Sequence, residues 1–133
     1  MRKIILLSVL GSLLSMNALA SNNKIWKGRA ILTIKDSKIQ NFKKALKKII
    51  KPTLNETGCI SYEAFQVYDE NGSETNKFEF HELWKSKDAM MIDHKENSAH
   101  MIEFFREIKI GSPESYVINF EVDGKWVKQF KVY

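Results

Sequence analysis

The chain has 133 residues, 28% of them charged and 44% hydrophobic, with a formal net charge of +5 and a single cysteine. That length supports one packed core and not two domains, and a lone cysteine excludes both an intramolecular disulfide and a thiolate zinc site. The basic excess does not by itself make a nucleic-acid binder, because much of it falls on one face of one helix.

Arg2 and Lys3 open the chain, residues 4–14 are an apolar run, and Ala18-Leu19-Ala20 is a small-x-small sequence. Together they read as a secretory signal peptide over residues 1–20, cleaved after Ala20. The expectation is an exported protein, periplasmic or secreted, whose mature domain is residues 21–133. The apolar run is too short to span a bilayer and has no stop-transfer flank, so no stable membrane anchor is expected. Cleavage would remove two cations and lower the formal charge from +5 to +3.

Residues 25–35 alternate, with Trp26, Ala30, Leu32 and Ile34 against Lys27, Arg29, Thr33 and Lys35, which predicts a half-buried strand. Asp36-Ser37 then starts a helix, and Ser37 and Gln40 have the spacing of a capping box. Ile39, Phe42, Ala45, Leu46, Ile49 and Ile50 form its apolar face. Lys43, Lys44, Lys47, Lys48 and Lys51 fill the other face. They read as a solvated surface or as a contact for an anionic partner. No aromatic residues are interleaved with them, so no nucleic-acid partner is expected. Pro52 is expected to stop the helix.

Gly58 marks a turn into a second strand over residues 60–68, and Cys59 beside it reads as a small core residue. Residues 69–73 form a hairpin connection, with Asn71-Gly72 expected to supply positive-φ positions. From 77 to 85 the chain alternates again. Phe78, Phe80, Glu82 and Trp84 point one way, and Lys77, Glu79, His81 and Lys85 the other. Ser86 caps a helix that carries His94, and Ser98 opens another with His100 in its first turn. Met101, Phe104, Phe105 and Ile108 face the core, and Gly111-Ser112-Pro113 ends the helix. A fourth strand over 116–122, a turn at Asp123-Gly124 and a fifth strand over 126–132 complete the chain. The order gives an α+β fold of the ferredoxin-like split βαβ type, with an antiparallel sheet and an added C-terminal strand.

Three groups of residues carry a resemblance. Glu56-Thr57-Gly58-Cys59 precedes a strand that contains Tyr62. Glu82-Leu83-Trp84-Lys85-Ser86 forms a strand end and helix cap, and His94 and His100 follow. Over roughly residues 25–122 the chain resembles the antibiotic biosynthesis monooxygenase domains, which include small quinol monooxygenases and form dimeric α/β barrels. It departs from them in two ways. The spacings from Trp84 to His94 and from His94 to His100 are each about one residue longer, and Ala99 replaces the usual proline. The haem-degrading branch of the same fold is not matched.

The resemblance implies a homodimer and a reaction that needs no metal or organic cofactor, in which a small quinol-like or aromatic substrate is deprotonated and oxidised by dioxygen. Such chemistry needs a base titrating near neutrality, orientation and a dry site. His94 and His100 are the candidate bases, since an unperturbed imidazole titrates near pH 6.5. They read equally well as polar residues at helix ends. Trp84, Phe80, Phe78 and Tyr62 are expected to line the core or a substrate cavity. Glu82, buried among them, needs a partner and is expected either to bond backbone donors or to orient a histidine. The spacing of the two histidines does not place them on one helical face, and no acidic third ligand is evident, so no metal site is expected. The alternative to an enzyme is a non-catalytic dimeric module of the same fold that binds a small ligand.

Overall fold

The protein is described by a computed structural model over residues 24–122. The expected signal peptide and the strand over 126–132 lie outside the described residues. The elements run β1 (Trp26–Ile34), a 3₁₀ turn (Asp36–Lys38), α1 (Ile39–Leu54), β2 (Cys59–Tyr68), β3 (Glu74–Trp84), a π-helix (Ala89–Glu96), α2 (Ala99–Glu107) and β4 (Val117–Val122). The strands form one sheet in the order β2-β3-β1-β4, with every neighbouring pair antiparallel. This is the ferredoxin-like arrangement that the order of elements predicts.

The alternation in β3 fixes which side of the sheet is covered. Phe78, Phe80, Glu82 and Trp84 are all buried. Their cross-strand partners Leu32 and Ala30 on β1, and Ala64 and Tyr62 on β2, share that inner face. Helix α1 lays Phe42, Ala45 and Ile49 on the same core, and α2 adds Met101 and Phe104. Phe42 sits at the join, with its ring 4.8 Å from Phe78 and 5.9 Å from Phe104. The outer face carries Lys27, Arg29, Ile31 and Thr33 opposite Leu83, His81, Glu79 and Lys77.

Three local expectations are corrected. Pro52 does not stop α1. It lies inside the last turn, and the helix closes two residues later, where the Asn55 N–H reaches the Lys51 and Pro52 carbonyls at 3.2 Å. That near the end, the missing proline N–H costs one bond and no more. Ser37 does not cap α1 through its side chain, because it is taken up in the 3₁₀ turn that leads into the helix. In the hairpin, Gly72 has positive φ (77°) and Asn71 does not. The Asp69 carboxylate instead holds the loop, accepting from Asn71 N and Ser73 N, both at 2.9 Å.

Gly58 is needed for close approach. A Cβ at that position would lie 2.4 Å from Ala89 Cβ, at the start of the π-helix. The Gly58 carbonyl also accepts the Lys85 N–H at 2.9 Å. The loop before β2 is therefore pressed against the segment that follows β3, and this brings Glu56 beneath the helices.

Candidate active site

His94 is carried by the π-helix. The expected Ser86 cap forms, with Ser86 Oγ accepting the Ala89 N–H at 3.1 Å. The Asn97 N–H then bonds to the Ile92 carbonyl at 3.0 Å, a step of five residues. A turn closed by i→i+5 bonds holds one residue more than an α-turn. Within it Ala89, Met90 and His94 are all buried. The chain then turns sharply at Ser98, whose hydroxyl donates to the His94 carbonyl at 2.7 Å. The turn folds α2 back so that the His94 and His100 rings lie 5.9 Å apart.

The side chain that joins them is Glu56. Its Oε1 is 2.7 Å from His94 Nδ1 and 2.9 Å from His100 Nε2. His100 Nε2 also hydrogen-bonds Thr53 Oγ1 at 3.0 Å. The His94 ring lies against Trp84, with centroids 4.6 Å apart, and Tyr62 meets it edge-on at 5.5 Å. His94 Nε2 is buried with no hydrogen-bond partner.

Burial governs the electrostatics. It pushes the Glu56 carboxyl up to about 7, helped by the negative charges of Asp93 and Glu82. It lowers His94 to about 3, helped by the cations at Lys95 and His100. His100 is lowered by burial as well. A short carboxylate–imidazole contact could hold an ion pair, but desolvation of both partners favours neutral rings and a carboxyl that ionises near neutrality. When Glu56 is ionised, His94 Nδ1 must carry the proton it donates. The ring's remaining lone pair is then on Nε2, the unpartnered atom.

Glu82 does not orient a histidine. Its Oε2 accepts the Trp84 indole N–H at 3.0 Å and its Oε1 accepts from Lys95 Nζ at 3.4 Å. Beside this pair, Gly28, Ala30, Met90 and Val122 line a cleft of about 10 Å³, room for one water. Trp84 thus forms a wall between two polar groups, Glu82–Lys95 and Glu56–His94. Phe80 backs Tyr62 with rings 6.2 Å apart, whereas Phe78 is taken up by Phe42 in the core. The Cys59 thiol is pushed up by burial and by Glu56 and Glu82, which suits a packing role.

Of the residues expected at the site, His94, His100, Trp84 and Tyr62 are brought together, Glu82 is held one ring away and Phe78 is not at the site. Glu56 was missed. It stands in a loop with no periodic pattern to mark it, and its partner is 38 positions away. Its trace in the sequence was its place in Glu56-Thr57-Gly58-Cys59, a stretch that carried the resemblance and was not read as part of the site. The spacing argument against a shared histidine site also fails, because the bend at Ser98 does what one helical face could not.

The sequence profile of the antibiotic biosynthesis monooxygenases matches residues 29–107. The chain belongs to that family. Solved structures agree on the fold. A conserved protein of unknown function from Bacteroides thetaiotaomicron, suggested to be an oxidoreductase, is 17% identical with a TM-score of 0.60, over 76% of this chain and 95% of that one. A candidate antibiotic biosynthesis monooxygenase from Nitrosomonas europaea is 17% identical with a TM-score of 0.59, over 77% and 99%. A conserved protein from Methanosarcina mazei is 27% identical with a TM-score of 0.57, over 74% and 87%. No curated protein is significantly similar in sequence. Glu56, Gly58, Glu82, Trp84, His94 and His100 all fall within the matched span, and all but Gly58 make the contacts of the two polar clusters.

Proposed function

We propose that this protein is an exported, homodimeric monooxygenase that oxidises a small quinol or phenol with dioxygen, without a metal or organic cofactor in the reaction. Family membership supports the reaction class. The observation that carries the residue assignment is the His94 ring, with Nδ1 held by Glu56 and Nε2 buried and unpartnered. A substrate hydroxyl donating to Nε2 would satisfy that atom and start the reaction.

In this reading the Glu56–His94 pair takes the phenolic proton: Nε2 of His94 accepts it while Nδ1 passes its own proton to the Glu56 carboxylate, the group that titrates at about 7. The phenolate gives one electron to dioxygen, and the resulting aryloxyl radical and superoxide join at a ring carbon as a peroxide. Loss of water from the peroxide, with the proton returned from His94, leaves a quinone carbonyl. One oxygen atom enters the product and the other leaves as water, and all the electrons come from the substrate. Trp84 and Tyr62 pack against the His94 ring and keep water away from it. Glu56 and His100 are the cluster's partly exposed members.

Oxygen uptake against a panel of quinols and phenols tests this. His94→Ala should lower the rate about a hundred-fold, the usual contribution of a positioned base. Turnover unchanged in both His94→Ala and His100→Ala would remove the base assignment. Tight binding of a quinol with no oxygen uptake would favour the non-catalytic ligand-binding module instead.

A further inference from the structure

The Glu56 cluster has a property that proton transfer does not use. Its three potential ligand atoms, Glu56 Oε1, His94 Nδ1 and His100 Nε2, all lie within 4.8 Å of one another. Two imidazoles and a carboxylate are a donor set that suits divalent zinc and its first-row neighbours. With metal–ligand bonds of about 2.0–2.2 Å in a tetrahedral site, adjacent ligand atoms lie about 3.4 Å apart. The observed contacts to Glu56 Oε1 are 2.7 and 2.9 Å. To admit a cation the carboxylate would back away by about half an ångström, and the two ring nitrogens, up to 4.8 Å apart, would close by about an ångström.

The surroundings fit as well. The His94 side chain is fully buried, while those of Glu56 and His100 keep 17% and 21% of their area exposed. The back of the site is closed and its mouth is open to solvent. That leaves positions on the ion for water, as in metal sites with three protein ligands. Cys59 is the chain's only cysteine, so soft thiolate competition inside the protein is minimal.

We propose that Glu56, His94 and His100 form a site for one divalent first-row transition ion, typified by Zn2+, and that occupancy switches the proposed oxidation off. The second half rests on the base reading above and follows from the tautomer. A metal on His94 Nδ1 requires that nitrogen to be deprotonated, so the neutral ring carries its proton on Nε2. The lone pair that would accept the substrate proton is then gone.

The experiment strips the purified protein with a chelator, then titrates Zn2+ against a chromophoric competitor. One equivalent should bind, and His100→Ala and Glu56→Gln, each confirmed folded by circular dichroism, should weaken binding more than the 10–100-fold typical of losing an outer-shell partner. Co2+ added to the unaltered protein should give visible absorption distinct from the aqueous ion, a readout that needs no variant. No zinc uptake, uptake unchanged in both variants, or a Co2+ spectrum identical to the aqueous ion would each overturn the site. Zinc bound at the site with oxidation undiminished would overturn the switch. If the metal-free protein oxidises no quinol at all, the base reading fails while the binding result stands on its own.

Discussion

Glu56 and His94 hold one exchangeable proton between them, and its position decides what the imidazole can do. Below about pH 7 the Glu56 carboxyl is protonated and can donate to Nδ1, so Nε2 carries the ring proton. Above it the ionised carboxylate requires Nδ1–H and frees Nε2. Oxidation should therefore rise with pH through about 7. Glu56→Gln, which accepts from Nδ1 at any pH through its amide oxygen, should retain part of the activity and lose that step from the profile. A profile unchanged in Glu56→Gln would show that Glu56 does not set the tautomer. The shift also has a stability sign. A carboxyl raised on folding stabilises fully below the unfolded value of 4.5 and loses that contribution as pH rises through about 7. Relative to Glu56→Gln, the parent protein should thus lose melting temperature across that window, which a pH series of thermal melts would read.

Among the elements, the junction between the loop before β2 and the π-helix bears the most consequence. Gly58→Ala would place a methyl 2.4 Å from Ala89 Cβ. Neither side is a flexible chain end, so the backbone must shift, at a cost of about 1–3 kcal/mol. Chemical denaturation should show that loss, and a parent-like midpoint would mean that the junction yields easily. The strands around the junction were legible because a period of two is unambiguous when aromatics alternate with charges, as in β3. Helix α1 was legible from its three-and-four spacing. The π-helix was visible only as a helix. Its i→i+5 bonding leaves no mark in the spacing, because the buried Met90 and His94 are four apart, as on an α-helix. Glu56 was illegible for a different reason, because a loop carboxylate acquires its meaning from partners that tertiary structure alone supplies.

The molecule as a whole has a covered and an uncovered sheet face. On the outer face Arg29 and His81 both bond Glu79, and His81 meets the half-exposed Phe65 ring edge-on at 5.2 Å. Ile31 and Leu83 are partly buried beside this network. A sheet with helices on one side, and aliphatic and aromatic groups on the other, is suited to a second copy. Among the described residues no helix is long and apolar enough to cross a membrane. Native mass spectrometry of protein recovered from its own host tests assembly and export together. The expected species is two copies of a chain beginning at Ser21. A monomer would refute the dimer, and a chain still beginning at Met1 would refute the processing.

The i→i+5 turn also bears on how this chain is compared with its relatives. Helices are usually aligned without gaps, on the assumption that equal numbers of residues give equal phase. Against a segment that runs as plain α-helix from the same start, that assumption would set His94 one position out of phase. A gap allowed inside the helix, between Ala89 and His94, would restore the phase.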